Sequence, residues 1–229
     1  MTRFHIVSLF PEVCRSYCEA SILGRAQQEK LIEVLYVNPR DFARDKHQKA
    51  DNRPYGGGPG MVMIAEPLLL ALEKISKDIA RKTARMKKPA KIKIILFSPS
   101  GKQFTNVYAK NLVTKYSDIV LIAGRYEGID ARVKKIFKAE EVSVGPFVLT
   151  GGEVPAMVVV DACARQIEGV LGAHESVEEL RPQIGQMASP EVYTRPEVLS
   201  WKGKKYRVPK VLLGGDPKKI EEWKQKQQG

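Results

Sequence analysis

The chain has 229 residues, 43% hydrophobic and 28% charged, with 38 Lys and Arg against 26 Asp and Glu for a net charge of +12. That content supports a packed core and excludes a disordered chain. The longest apolar runs are strand-length, well short of the roughly 20 residues a membrane-spanning helix needs. The basic excess is clustered: eight basic residues and one acid, Asp78, lie between Lys77 and Lys93, and five basic residues and no acid between Trp201 and Lys210. Such clusters predict affinity for a polyanion. Nucleic acid is favoured over membrane, because no basic amphipathic helix with an aromatic face is present.

Residues 4–10 read as a first strand rather than a signal peptide, lacking its apolar block and cleavage site, and Pro11 opens a helix. Cys14 and Cys18 lie one helical turn apart and read as packing residues. With Cys163 they make an odd count without a C-x-x-C, the pattern of reduced thiols in a cytoplasm. A second strand, 31–37, closes at Asn38-Pro39. The polar stretch 40–53 then leads into Pro54-Tyr-Gly-Gly-Gly-Pro-Gly60, a long surface loop of the kind that carries function. Glu66-Pro67 starts a helix with Leu68, Leu72, Ile75 and Ile79 on one face.

A third strand, 91–97, stops at Ser98-Pro-Ser-Gly101. A helix over about 105–116, a strand at 119–123, a helix over 129–138, a strand at 141–144 and a helix over 155–167 follow, the last with Pro155 in its first turn. This βα alternation predicts an α/β fold, a parallel sheet with helices on both faces. Three strands end in short Gly- and Pro-bearing loops, at the edge where ligands bind in such folds. Residues 1–171 read as one domain, 172–190 as an acidic, turn-rich linker, and 191–229 as a small, basic, mostly helical domain with a helix over 217–228.

Neither a Walker loop nor a G-x-G-x-x-G after a strand is present, and His5, His47 and His174 are scattered, so no metal site is expected. Asp161 and Arg165, four apart on an apolar helix, form either a structural ion pair or a guanidinium presented to an electronegative substrate atom. Glu127, flanked by glycine, is either a ligand-orienting carboxylate or a surface acid. Glu178 and Glu179 are candidate bases within a linker whose acidity also has a purely solvating reading.

Six motifs occur in order: Tyr55-Gly-Gly-Gly-Pro-Gly-Met61, Phe97-Ser-Pro-Ser-Gly101, Gly124-Arg-Tyr-Glu-Gly-Ile-Asp130, Leu149-Thr-Gly-Gly-Glu-Val-Pro-Ala156, Gly169-Val-Leu-Gly172 and Tyr193-Thr-Arg-Pro-Glu-Val198. Together they resemble the TrmD family of bacterial tRNA (guanine-N1)-methyltransferases, in the SPOUT superfamily, over most of the chain. The resemblance implies a deep trefoil knot, an exception to unknotted topology, and a cytoplasmic homodimer with shared active sites. It implies S-adenosylmethionine as donor, with magnesium carried as a further activator, and a tRNA with guanosine just 3′ of the anticodon as substrate. The donor would be held by Phe97, Ser98 and Pro99, by Gly124, Tyr126, Glu127, Gly128 and Ile129, and by Ser143, Val144, Gly145, Pro146, Phe147, Val148, Leu149, Gly151, Gly152 and Pro155. RNA would meet Tyr55, Gly57, Gly58, Pro59, Arg195, Lys204 and Lys205, and Arg165 matches the family's catalytic arginine.

Three departures from the family pattern stand out. Leu180 and Arg181 occupy the places of an aspartate base and a following serine, which makes the neighbouring Glu179 the expected base and Glu178 its second. Pro146-Phe147 replaces Asp-Tyr beside the donor. The sequence given stops soon after Trp223, so the tRNA-gripping domain reads as reduced, with the basic tail compensating. Two other readings are a SPOUT ribose 2′-O-methyltransferase, and a non-catalytic RNA-binding protein that lost its base.

Overall fold

The computed structural model describes residues 1–84, 89–171 and 191–226. The chain divides into two compact units, Met1–His174 and Glu175–Gly229. The first is built on five strands: β1 (Thr2–Val7), β2 (Ile32–Val37), β5 (Ile92–Gln103), β6 (Asp118–Ile122) and β7 (Glu140–Ser143). They lie in the order β2-β1-β6-β5-β7, and every neighbouring pair runs parallel.

A parallel sheet covered on both faces needs strands apolar at every position rather than at alternate ones, and β6 shows why. Ile119 and Leu121 point into one buried cluster, with Phe4, Ile6, Cys14, Cys18, Val159 and Cys163. Val120 and Ile122 point into the other, with Val7, Leu68, Leu72, Ile75, Ile79 and Val133. The first face is covered by α1 (Pro11–Cys18), α2 (Ser21–Gln28), α4 (Asn106–Lys115) and α6 (Glu153–Ala164). The second is covered by α3 (Ala65–Thr83) and α5 (Ala131–Phe137). The expected stripe on α3 is completely submerged, each of its four residues being at most 3% exposed. Burying each contributes roughly 1.5–3 kcal/mol.

The amino edge of the sheet holds a buried charge network. Arg3 donates from Nε and Nη2 to the two oxygens of Asp118, both at 2.7 Å. His5 Nε2 lies 2.9 Å from Asp118 Oδ1, and Ser117 Oγ donates to Oδ2 at 2.8 Å. Burial alone would raise the Asp118 pKa, but the hydrogen bonds from His5, Arg3 and Ser117 outweigh it and hold the carboxyl far below the usual range.

Several local expectations need correction. The strand expected to stop at Phe97 continues to Gln103: Phe97 and Lys102 both face Val142, and residues 98–101 bulge out between them. Gly101 makes this bulge feasible, since a Cβ there would stand 2.5 Å from the backbone N of Val142. The helix expected from Ile129 begins at Ala131, because the Asp130 carboxylate caps it by accepting from Arg132 N–H, while Ile129 bridges Met63. The helix expected at Pro155 begins two residues earlier, at Glu153, and ends at Ala164. The stretch 40–53 is not a plain loop. A 3-10 turn over Pro39–Phe42 is capped by Asn38, and β3 (Asp51–Asn52) pairs with β4 (Val62–Met63).

The second unit holds an antiparallel hairpin, β8 (Val198–Trp201) and β9 (Lys204–Arg207), followed by α7 (Lys210–Leu213) and α8 (Pro217–Lys226). Lys202 and Gly203, both at positive φ, make its two-residue turn, the geometry that matches strand twist. The hairpin was not anticipated by a mostly helical reading of this region. No described helix is long and apolar enough to cross a membrane.

Candidate active site

At the bulge of β5 and the carboxyl ends of β6 and β7 the chain encloses a cavity of about 470 Å³, within the size range of small-molecule sites. Every residue named above for the methyl donor lines it except Pro146, which is exposed beside it. Leu96, Arg125, Glu141, Val142 and Thr150 line it as well and were not anticipated.

The walls are backbone brought close to backbone. Gly152 N–H donates to Gly124 O at 2.8 Å, and Arg125 bridges Gly151. A Cβ on Gly152 would stand 2.6 Å from Ala123 Cα and 2.8 Å from Gly124 N, so the two loops meet only because a side chain is missing. Gly152→Ala is therefore expected to cost about 1–3 kcal/mol of stability through overpacking. It should also weaken donor binding, by about tenfold if about 1.4 kcal/mol of the strain is carried by the displaced loops in the bound state. Thermal unfolding and calorimetric titration with S-adenosylmethionine measure the two effects. Tyr126 adopts φ +60 in the middle of this loop, a left-handed conformation unusual for a bulky residue and typical of ligand-binding turns.

Arg125 ties the loops to the sheet. Its Nε lies 2.9 Å from Glu153 Oε2, a close ionic contact whose angle is too poor for a directed hydrogen bond. Glu153 is 2% exposed and opens α6, where a negative charge is favoured by the helix dipole. Ser8 Oγ donates to its other oxygen at 2.6 Å, and the Arg125 guanidinium lies 4.8 Å from the centre of the Phe10 ring. A buried carboxylate at position 153 demands a cation nearby, and that requirement is the signal that could have singled out Arg125.

The loop between β3 and β4 stands beside the cavity. Glu127 N–H donates to Met61 O, and Met63 N–H to Gly128 O, both at 2.9 Å. Tyr55 at its tip is fully exposed, and Gly56, Gly57, Gly58 and Gly60 all have positive φ. The base of this loop, at Gly60, Met61 and Met63, thus meets Glu127 and Gly128, while Tyr55, Gly57, Gly58 and Pro59 stand exposed farther along it and do not line the cavity. Arg195, Lys204 and Lys205 lie in the second unit. Glu178, Glu179, Leu180 and Arg181 fall outside the described residues.

Arg165 does not line the cavity of its own chain. It caps the carboxyl end of α6, while the cavity touches that helix at Pro155. Ten residues at 1.5 Å each separate the two by about 15 Å. Its expected neighbour Asp161 accepts a 2.6 Å hydrogen bond from Tyr17, which pushes the Tyr17 hydroxyl up to about 12. The three cysteines are buried and free. Burial raises all three thiols, Cys14 to about 12 and Cys18 to about 11, so none is a poised nucleophile. Among the described residues, no group of three or more His, Cys, Asp or Glu could hold a metal ion.

A doubly covered parallel sheet whose carboxyl-edge loops close around a cavity places the protein among ligand-binding α/β enzymes. Comparison with known proteins narrows this sharply. The family described as tRNA (Guanine-1)-methyltransferase TrmD matches residues 2–229, and the chain belongs to that family. A relative from Pseudoalteromonas atlantica named tRNA (guanine-N(1)-)-methyltransferase is 45% identical over 98% of this chain and 79% of its own length. Relatives of the same name from Vibrio campbellii and Dictyoglomus turgidum are each 42% identical, over 97% and 99% of this chain and 84% and 85% of their own lengths.

Proposed function

We propose that the protein methylates N1 of the guanosine immediately 3′ of the anticodon, position 37, in tRNA, with S-adenosylmethionine as donor. Membership of the family carries the reaction, and the cavity carries the donor site. The donor supplies an electrophilic methyl on sulfonium. The loops suit it because the glycines at 124, 128, 145, 151 and 152 expose main-chain donors and acceptors to a purine, while Phe97, Val144, Leu149 and Pro155 give apolar contact. The crossing of the chain supports the family's knot: beyond β7 the chain returns to the end of β6, past the intervening β5.

Guanine N1 carries a proton and becomes nucleophilic only as that proton leaves. Glu179 takes it, with Glu178 as the second candidate. The charge that builds on O6 is met by the guanidinium of Arg165. The target base leaves its stack to reach the cavity, which costs less in a loop than in a duplex.

The position of Arg165 suits a homodimer in which each arginine serves the partner's cavity. Val154, Val158, Asp161 and Arg165 recur at i, i+4, i+7 and i+11, so they form one stripe of α6. Val154 and Val158 are 50% and 42% exposed, and the adjoining Val13 and Tyr17 of α1 are 42% and 47% exposed. An apolar patch that ends in a catalytic cation fits an interface between two copies.

The test is methyl transfer from labelled donor to a tRNA transcript, followed by mass analysis of the nucleosides. The expected product is 1-methylguanosine, lost when the guanosine after the anticodon is replaced. A 2′-O-methyl nucleoside would mean ribose chemistry, and no product with donor and tRNA both bound would mean a binding protein. Glu179→Gln should lower the rate at neutral pH by about 10²–10⁴-fold, the usual worth of a general base. An unchanged rate would remove Glu179 from the mechanism.

A further inference from the structure

The hairpin of the second unit has two unlike faces. Its register pairs Trp201 with Lys204 and Leu199 with Tyr206. Directly opposed residues share a face, as do residues two apart on a strand, so Leu199, Trp201, Lys204 and Tyr206 stand together. Ser200, Lys205, Val198 and Arg207 occupy the reverse. On the first face Trp201 is 63% exposed, Leu199 55% and Tyr206 54%. These are large apolar groups held in water by a two-stranded ribbon that buries none of its β9 residues. Folding alone gives no reason to place an indole and a phenol ring there.

The surrounding charge indicates what covers them. Lys202, Lys204, Lys205, Arg207 and Lys210 follow with no acid among them, and among the described residues none has a carboxylate partner. Protein interfaces deplete lysine at their centres. Aromatic rings set among unpaired cations are instead the composition of surfaces that bind single-stranded nucleic acid, where rings take the bases and cations take the phosphates. We infer that the Trp201 and Tyr206 face is a stacking platform for an unpaired RNA base, with Lys204 on the same face and Lys202 in the adjoining turn holding the flanking phosphates. Trp201 and Tyr206 are diagonal neighbours, roughly 7–8 Å apart along the backbone, which leaves room for a planar base against either ring. A base inside a duplex is already stacked on both sides and is not available to them. This inference rests on RNA as the partner and adds the nucleotide class, an unstacked one, and the side chains that receive it.

The chain has two tryptophans, and the ring of the second, Trp223 in α8, has its centre 6.2 Å from that of Tyr193. In the full-length Trp223→Phe protein Trp201 is therefore the sole indole reporter. Titration with an anticodon stem-loop RNA should quench its emission, whereas a fully paired duplex of equal length at the same salt should not. Trp201→Ala should weaken stem-loop binding by roughly 5- to 100-fold, the worth of one base–aromatic stack. Trp201→Phe should retain most of the affinity, and both variants should bind S-adenosylmethionine normally. The inference is overturned by unchanged RNA affinity in Trp201→Ala, by equal quenching with duplex, or by a blue-shifted indole in the free protein, which would mean that protein already covers it. None of these readings measures methyl transfer. Quenching without methylation would sink the proposed reaction alone, and methylation with a silent Trp201 would sink the platform alone.

Discussion

Replacing Arg165 by alanine is expected to lower methyl transfer by about 10²–10³-fold, the loss seen when a preorganised charge stabiliser is removed, while donor binding stays intact. The two effects separate because Arg165 is not among the loop residues that line the cavity, and the charge it would meet lies on the base. Arg165→Lys should recover little, since an ammonium cannot reproduce the planar fork of a guanidinium. A mixing experiment addresses whose cavity the arginine serves. Arg165→Ala and a donor-site variant such as Gly152→Ala should each be slow alone. After subunit exchange, a random mixture of two-fold dimers would hold about one intact site in four, and activity should return to that extent. Activity that fails to return on mixing would confine each site to one chain.

The second large effect lies at the amino edge of the sheet. Asp118→Asn keeps the shape of the side chain but leaves Arg3, 6% exposed, without its counter-charge. Breaking a buried pair by removing one partner costs about 3–5 kcal/mol, a large share of the 5–15 kcal/mol of a typical domain. The midpoint of urea unfolding should fall accordingly. Replacing both partners together, Arg3→Met with Asp118→Leu, should cost much less, because the penalty comes from the stranded charge. The pH dependence has a definite sign. The Asp118 carboxyl ionises at lower pH in the folded protein than in the unfolded chain, where its pKa is about 3.9. Its contribution is therefore fully present above that value and lost as pH falls below it. Unfolding followed between pH 6 and 2 should show wild-type stability falling through the acid range more steeply than that of Asp118→Asn.

Features set by local rules were legible in the sequence. The α3 stripe at Leu68, Leu72, Ile75 and Ile79 and the unbroken apolar run of β6 needed only periodicity, and both lie where it puts them. Features set by distant contacts were not. The β5 bulge depends on Gly101 meeting β7 about forty residues later, and Arg125 matters through Glu153, Ser8 and Phe10, which only the fold assembles. Helix α2 was hidden by Gly24 at its centre, tolerated because a Cβ there would collide with Glu19 O at 2.3 Å. The β8–β9 hairpin is marked by a Lys-Gly turn, but the lysines of β9 and its exposure at every position remove the alternation of apolar and polar residues that signals a strand. The cavity loops were legible as the Gly- and Pro-bearing ends of three strands, and the family motifs added only what they hold. Periodicity by itself marked only where the strands end.

Strand β6 begins in the charge network at Asp118 and leads at its other end into the cavity loop at Gly124, about 20 Å away at the rise of an extended chain. The charge network thus stands at one rim of the sheet and the candidate site at the other. Changes made at sites this far apart, with no shared neighbours, combine additively. A substitution in the cavity loops should therefore cost the same stability whether or not the Asp118 network is intact, so variation at one rim proceeds independently of the other.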